Sequence, residues 1–354
     1  INIYRIACIL YESFVYLHRK SIFLIETKNN YYPNELLFLL SGEGWNILNS
    51  KIMAKTLCNL SSYNLQGNNK VVYDYLSNRC SSFVDVYIEE TKSSRSKTGV
   101  SQNSFSFVRN AKETKTDVIN RVFELDLSND KWDKKLDHRI LTLHSSALLA
   151  FLFFCKVSKE NPFEIKEIDG VKFTKFDIEV PLNCIRGGKS HIDVVLKDES
   201  ENNTLFIECK FLEYLHCSGE KISSAYDGVY NKYGIQEILN NIKLKYENGV
   251  IRHEDQQSVY CQGIKQMISH FIALDKKCLK GNVFLGTMLF DFGKTGKDKL
   301  KSYCDLYKKL AKEINGIKHN KVLLLNKALT FQNNVVIEKL PKKVVEYYGF
   351  VNKN

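Results

Sequence analysis

Asp193, Glu208 and Lys210 are the residues of this chain whose types and spacing could do chemistry. They sit in His191-Ile192-Asp193-Val194-Val195-Leu196 and Leu205-Phe206-Ile207-Glu208-Cys209-Lys210-Phe211, two apolar segments close together in sequence. Two carboxylates and an ammonium at one sheet edge suit hydrolysis of a phosphodiester assisted by a hard divalent cation. Mg²⁺ takes a few carboxylate oxygens and keeps several waters, and a nearby lysine can orient or help deprotonate the attacking water. The plain alternative is ordinary charge on the exposed faces of two strands.

Strand geometry supports the chemical reading. Side chains alternate across a strand, so Glu208 and Lys210 share one face while Ile207, Cys209 and Phe211 share the other. Asp193 is a lone carboxylate in a segment whose Ile192, Val194 and Leu196 form an apolar face, and a charge in such a place needs a partner or a metal. The polar stretch Lys197 to Thr204 is short enough for a hairpin loop, and pairing the two strands brings Asp193 toward Glu208.

Asp193 followed by Glu208-Cys209-Lys210 on the next strand resembles the PD-(D/E)xK nuclease superfamily, the restriction-endonuclease-like fold. The resemblance implies that Asp193 and Glu208 bind the metal, that Cys209 is a buried spacer contributing its backbone carbonyl, and that Lys210 serves the attacking water. Ile192 stands where the motif name has proline. The run His144 to Phe154, the segment Phe206 to Leu215 and Tyr260-Cys261-Gln262-Gly263-Ile264-Lys265 extend the likeness to a bacterial branch described as restriction-endonuclease candidates, over roughly residues 115–295. It implies Mg²⁺, with Mn²⁺ able to substitute, nucleic acid and above all DNA as the partner, and a homodimer where both strands of a duplex are cut. Gln262 joins the catalytic set, and Lys265, Arg186 and Lys189 are the candidate contacts to nucleic acid.

The surrounding elements fit an α/β restriction-endonuclease-like core, a mixed central sheet flanked by helices, with a mainly helical N-terminal accessory region. Residues 1–52 read as a doubtful N-terminal extension before Met53, residues 53–140 as the accessory region, 141–330 as the nuclease core and 331–354 as a C-terminal tail. The polar run Thr91 to Gly99 reads as a surface loop whose Lys92, Arg95 and Lys97 are more simply solvated than bound to a nucleic-acid backbone. Ser145 and Ser146 open a helix that is apolar all round, as for one buried against a sheet. Val171 to Cys184 is a strand ending at the turn Arg186-Gly187-Gly188-Lys189, which makes three antiparallel strands in a row. Glu179 on the first of them is an exposed charge or a further acidic ligand, with Asp177 competing for that role.

Tyr260 to Leu274 reads as a helix packed through Tyr260, Ile264, Met267, Ile268 and Phe271. Gln262, Lys265, Gln266 and His270 fall on its other side, where a solvated face is expected and His270 is a surface histidine. Asn282 to Phe292 is a strand, Leu300 to Ile314 an amphipathic helix stopped by Gly316, and Val322 to Leu325 a last core strand. Gly293-Lys294-Thr295 is not a phosphate loop, because position 288 is Met288 where that motif needs glycine.

Composition narrows the class. A chain of 354 residues with 44% hydrophobic residues can build a substantial core, and its net charge of +11 favours a polyanionic partner. Its ten cysteines include no Cys-x-x-Cys pair, and Cys155, Cys209 and Cys261 fall in apolar segments, which reads as reduced core thiols and a cytoplasmic protein. The most apolar run, Ala147 to Cys155, is too short to span a membrane, and the first ten residues make a poor signal peptide. A nucleic-acid-binding module that kept the fold without turnover, a repair exonuclease or junction resolvase, and a hydrolase of small phosphoesters are the competing functions.

Overall fold

The computed structural model describes residues 68–77, 88–92, 103–185, 188–215, 220–221, 224–247, 250–253 and 263–351. The N-terminal extension, Arg95, Lys97, Arg186, Cys261 and Gln262 lie outside them, as does the side chain of Lys189.

Among the described residues the accessory region holds a strand pair as well as helices. Helix α1 (Asn68–Ser77) precedes an antiparallel pair, β1 (Ile88–Lys92) and β2 (Asn103–Phe107), so Thr91 and Lys92 belong to a strand rather than to the expected loop. Helix α2 (Lys115–Phe123) opens on a capping box in which Thr114 accepts from the Asp117 N–H and Asp117 accepts from the Thr114 N–H, satisfying two otherwise orphaned donors. Leu143 N–H donates to Phe105 O at 2.9 Å, which ties this region to the start of the core.

Helix α3 (Ser146–Phe154) follows with Ser145 as its N-cap, and every residue from Leu148 to Phe154 is buried. The central sheet begins with β3 (Phe173–Ile185), β4 (Gly188–Asp198) and β5 (Asn203–Lys210), each antiparallel to the next. A small separate sheet of β6 (Glu220–Lys221), β7 (Leu244–Glu247) and β8 (Val250–His253) precedes helix α4 (Ile264–Lys277). The chain then returns to the central sheet as β9 (Asn282–Leu289), parallel to β5 from Asn203↔Asn282 to Lys210↔Leu289.

Helix α5 (Lys297–Asn315) leads to β10 (Val322–Leu324), which lies parallel to β9, and β11 (Leu329–Thr330) also pairs with β9. The fold is thus α/β with a mixed central sheet flanked by helices. Central position explains why β5 lacks a solvent face: strands with neighbours on both edges and helices above and below read as near-continuous apolar runs, and Thr204 to Lys210 are all buried.

The C-terminal segment is not a tail. Helix α6 (Lys342–Tyr348) places Val344, Tyr347 and Tyr348 in the core beside Phe350, and Tyr348 and Phe350 pack with Phe290. Aromatic residues of this size bury too much apolar surface to be left in water.

Candidate active site

The β4–β5 register pairs Val194 with Ile207, which sets Asp193 opposite Glu208. Asp193 Oδ2 accepts the Cys209 N–H at 2.6 Å, and Lys210 Nζ lies 2.6 Å from Glu208 Oε1. Period-two alternation puts Glu208 and Lys210 on one face of β5, as their spacing indicates. The structure therefore brings Asp193, Glu208 and Lys210 together. Cys209 is a buried free thiol, and it is its N–H that meets Asp193.

Helix α4 lies against this face and supplies two further groups. Gln266 Oε1 accepts from Lys210 Nζ at 2.8 Å, and His270 Nε2 lies 2.9 Å from Glu208 Oε2. Residues four apart share one side of a helix, so Gln266 and His270 grip the Lys210–Glu208 pair as a unit. This overturns the expectation of a surface histidine on a solvated face: His270 is 0% exposed. The helix packs on β3, β4, β9 and β10, and the polar stripe left over by its apolar face is covered by the two buried charges. The signal was present as polar residues at positions 266 and 270 facing an acid–lysine pair, but the wheel alone does not say which side meets the sheet.

Gly263 begins this helix at φ +93, and a side chain there would meet Tyr303 Oη at 3.4 Å and Lys210 Cε at 3.5 Å. Those distances are ordinary contacts, so it is the backbone conformation, one that side chains rarely adopt, that favours glycine here. Lys265, in contrast, does not line the site; its ammonium lies 6.0 Å from the Tyr226 ring centre.

A third carboxylate completes the group. Ile178 pairs with Val194 and Val180 with Ile192, so Glu179 stands across from Asp193, with a left-handed φ of +50 inside a strand. A glutamate in that region is strained, and such strain concentrates at functional positions. Asp177 does not compete, because it pairs with Lys135 and accepts the Ile178 N–H at 2.8 Å. Glu213 is also occupied, accepting the Phe211 and Leu212 N–H groups and the Ser146 hydroxyl.

The electrostatics are unbalanced toward negative charge. Burial, the Glu208 charge and Glu179 push Asp193 well above the usual aspartate range, against the pull of Lys210 and the Cys209 N–H. Glu208 is held low: burial would raise it, but Lys210 and His270 more than reverse that. Lys210 is likewise held above the ordinary lysine range, since Glu208, Glu213 and Asp193 outweigh its burial. Burial and the charges of Glu208 and Asp137 lift Glu179 to about 7. The floor thus gathers Glu179, Asp193 and Glu208 around one ammonium.

This donor set, hard carboxylate oxygens around a deficit of positive charge, fits a divalent cation such as Mg²⁺. It is not a preformed cage: among the described residues no group of three or more His, Cys, Asp or Glu stands placed to hold a metal ion. Glu208 is engaged by Lys210 and His270, and Asp193 Oδ2 by a backbone N–H, so the carboxylates face protein donors.

The site is the floor of a cleft of ≈ 1680 Å³ that is lined as well by side chains between Ser106 and Ala147. Among the described residues no helix is long and apolar enough to cross a membrane. The chain matches no protein-family model, no curated protein and no solved structure.

Proposed function

We propose that the chain is a metal-dependent nuclease on a restriction-endonuclease-like core, hydrolysing phosphodiester bonds of nucleic acid, DNA above all, with a restriction-type role in host defence. The observation that carries this reading is the meeting of Asp193, Glu208 and Lys210 across β4 and β5 at the floor of an open cleft. Mg²⁺ or Mn²⁺ held by Asp193, Glu208 and the Cys209 carbonyl would supply Lewis-acid stabilisation of the charge that develops on the phosphoryl oxygens.

The chain's own groups divide the remaining work. Lys210 is held as an ammonium by Glu208, so it acts as a donor that orients the attacking water and the phosphate, not as the base that takes the proton. Gln266 restrains the same ammonium from the other side, and His270 fixes Glu208. The water oxygen forms the new bond to phosphorus and releases a proton to solvent, the bond to the leaving sugar oxygen breaks, and that oxygen takes up a proton from solvent.

The engagement of both Glu208 oxygens by protein donors favours a second reading, a nucleic-acid-binding module without turnover. A cleavage assay with Mg²⁺ separates the two. Wild type cutting DNA while Asp193→Ala and Lys210→Ala do not supports the nuclease; DNA bound and left whole by all three supports the module.

A further inference from the structure

We infer that Arg109 and Lys134, which line the same cleft as the carboxylates, are the contacts that hold the phosphodiester backbone of the substrate at Asp193, Glu208 and Lys210. The inference rests on nucleic acid being the substrate of this site and adds the surface that recognises it.

The floor alone offers a phosphate backbone little. Its single ammonium, Lys210, is buried and already donates to Glu208 and Gln266. Cations elsewhere in the cleft must supply the contacts to a polyanion. Most of those present are already committed. Lys135 pairs with Asp177, Arg139 lies 3.1 Å from Asp137, and Lys115 donates to Leu136 O at 2.6 Å.

Arg109 and Lys134 are different. Both line the cleft, both are exposed, and among the described residues neither has an ion-pair or hydrogen-bond partner. Their backbones are nonetheless fixed. Arg121 donates to the Val108 carbonyl at 2.9 Å, next to Arg109. Lys134 stands between buried Trp132 and the Lys135 N–H, which donates to Trp132 O at 2.8 Å.

Two exposed, uncommitted cations lining one cleft with the triad are suited to phosphate oxygens. Arginine offers a planar fork of donors and lysine a point charge. Contacts of this kind position a nucleic acid without reading its bases. The structure thus assigns backbone binding to residues far from the triad in sequence, in the accessory region.

The test is binding of a labelled duplex DNA oligonucleotide, read by fluorescence anisotropy in EDTA across a salt series. It compares wild type, Arg109→Ala/Lys134→Ala, the charge-keeping Arg109→Lys/Lys134→Arg, and Lys308→Ala/Lys309→Ala on the exposed side of α5. Losing two phosphate contacts should flatten the slope of log affinity against log salt by about 2 and weaken binding about tenfold or more at low salt. The charge-keeping pair should retain most of the wild-type affinity, and the α5 pair should bind as wild type. Equal slope and affinity in the Arg109→Ala/Lys134→Ala protein, an equal loss in the α5 pair, or no binding by wild type would overturn the inference. The nuclease reading fails separately, if wild type binds DNA through Arg109 and Lys134 and cuts nothing in Mg²⁺.

Discussion

His270 Nε2 lies 2.9 Å from Glu208 Oε2 in a site where the imidazole is 0% exposed and the carboxylate 2% exposed. A carboxylate accepts only, so Nε2 carries the hydrogen of this bond, and Nδ1 has no partner among the described residues. Among the described residues, Lys210 is the other side chain hydrogen-bonded to the Glu208 carboxylate. The helix therefore fixes one oxygen of the carboxylate and the lysine the other.

Replacing His270 tests whether that grip matters to the site. His270→Ala leaves a buried carboxylate short of one donor, a deficit of about 1.5–3 kcal/mol. Mn²⁺ affinity, measured by calorimetric titration, should fall about tenfold or more, with a lower melting temperature. His270→Gln, which can still donate, should recover part of both. Unchanged Mn²⁺ affinity in His270→Ala would make the histidine a packing residue only.

Lys210→Met removes the ammonium but keeps the bulk. Breaking a buried ion pair by deleting one member costs about 3–5 kcal/mol, because the other charge is left uncompensated. Urea denaturation should show that loss for Lys210→Met and a partial recovery in Lys210→Met/Glu208→Gln, where the stranded charge is also gone. Additive effects of the two substitutions would contradict the pairing.

Glu179 makes stability depend on pH. Burial, with the Glu208 and Asp137 charges, lifts it from the ordinary 4.5 to about 7, and Arg139 opposes them. The folded chain then keeps a proton that the unfolded chain has released, so between about 4.5 and about 7 stability falls as pH rises. Asp193 is raised as well and adds to the same slope. In EDTA, wild type should lose more stability than Glu179→Gln on going from pH 5 to pH 8, by about 1–2 kcal/mol after allowance for partial exposure. Parallel pH profiles would show that Glu179 is not desolvated by the fold.

Gly281 sets the start of β9. Its φ is +75, and a side chain there would sit 2.2 Å from Asn202 O, at the point where Asn282 N–H donates to that same carbonyl at 2.8 Å. Gly281→Ala combines an unfavourable backbone region with a backbone clash and should cost about 2–4 kcal/mol in chemical denaturation. A wild-type midpoint would mean that the Asn202 turn relaxes freely.

The triad and its strands were legible because period-two alternation and a short polar hairpin place charges without reference to the rest of the fold. The order of β3, β4 and β5, the buried helix at Ser146 and the helix ending at Gly316 followed from equally local patterns. His270 and Gln266 were not legible, since a helical wheel separates two faces but not which of them a sheet edge will cover. Nor were Arg109 and Lys134, which share a cleft with the triad only because the fold brings distant segments together. The C-terminal residues misled for a related reason: Tyr347, Tyr348 and Phe350 are recognisable as core only once Phe290 is known to face them.

The most direct measurement is cleavage of supercoiled plasmid and single-stranded DNA by wild type and by Asp193→Ala in Mg²⁺, with EDTA as the control. Loss of an interaction worth several kcal/mol in the transition state corresponds to about a hundredfold or more in rate. Wild type should cut in Mg²⁺ and not in EDTA, with Asp193→Ala slower by at least that factor. Intact DNA after incubation with wild type, or equal cutting by Asp193→Ala, would contradict a metal-dependent nuclease centred on Asp193, Glu208 and Lys210.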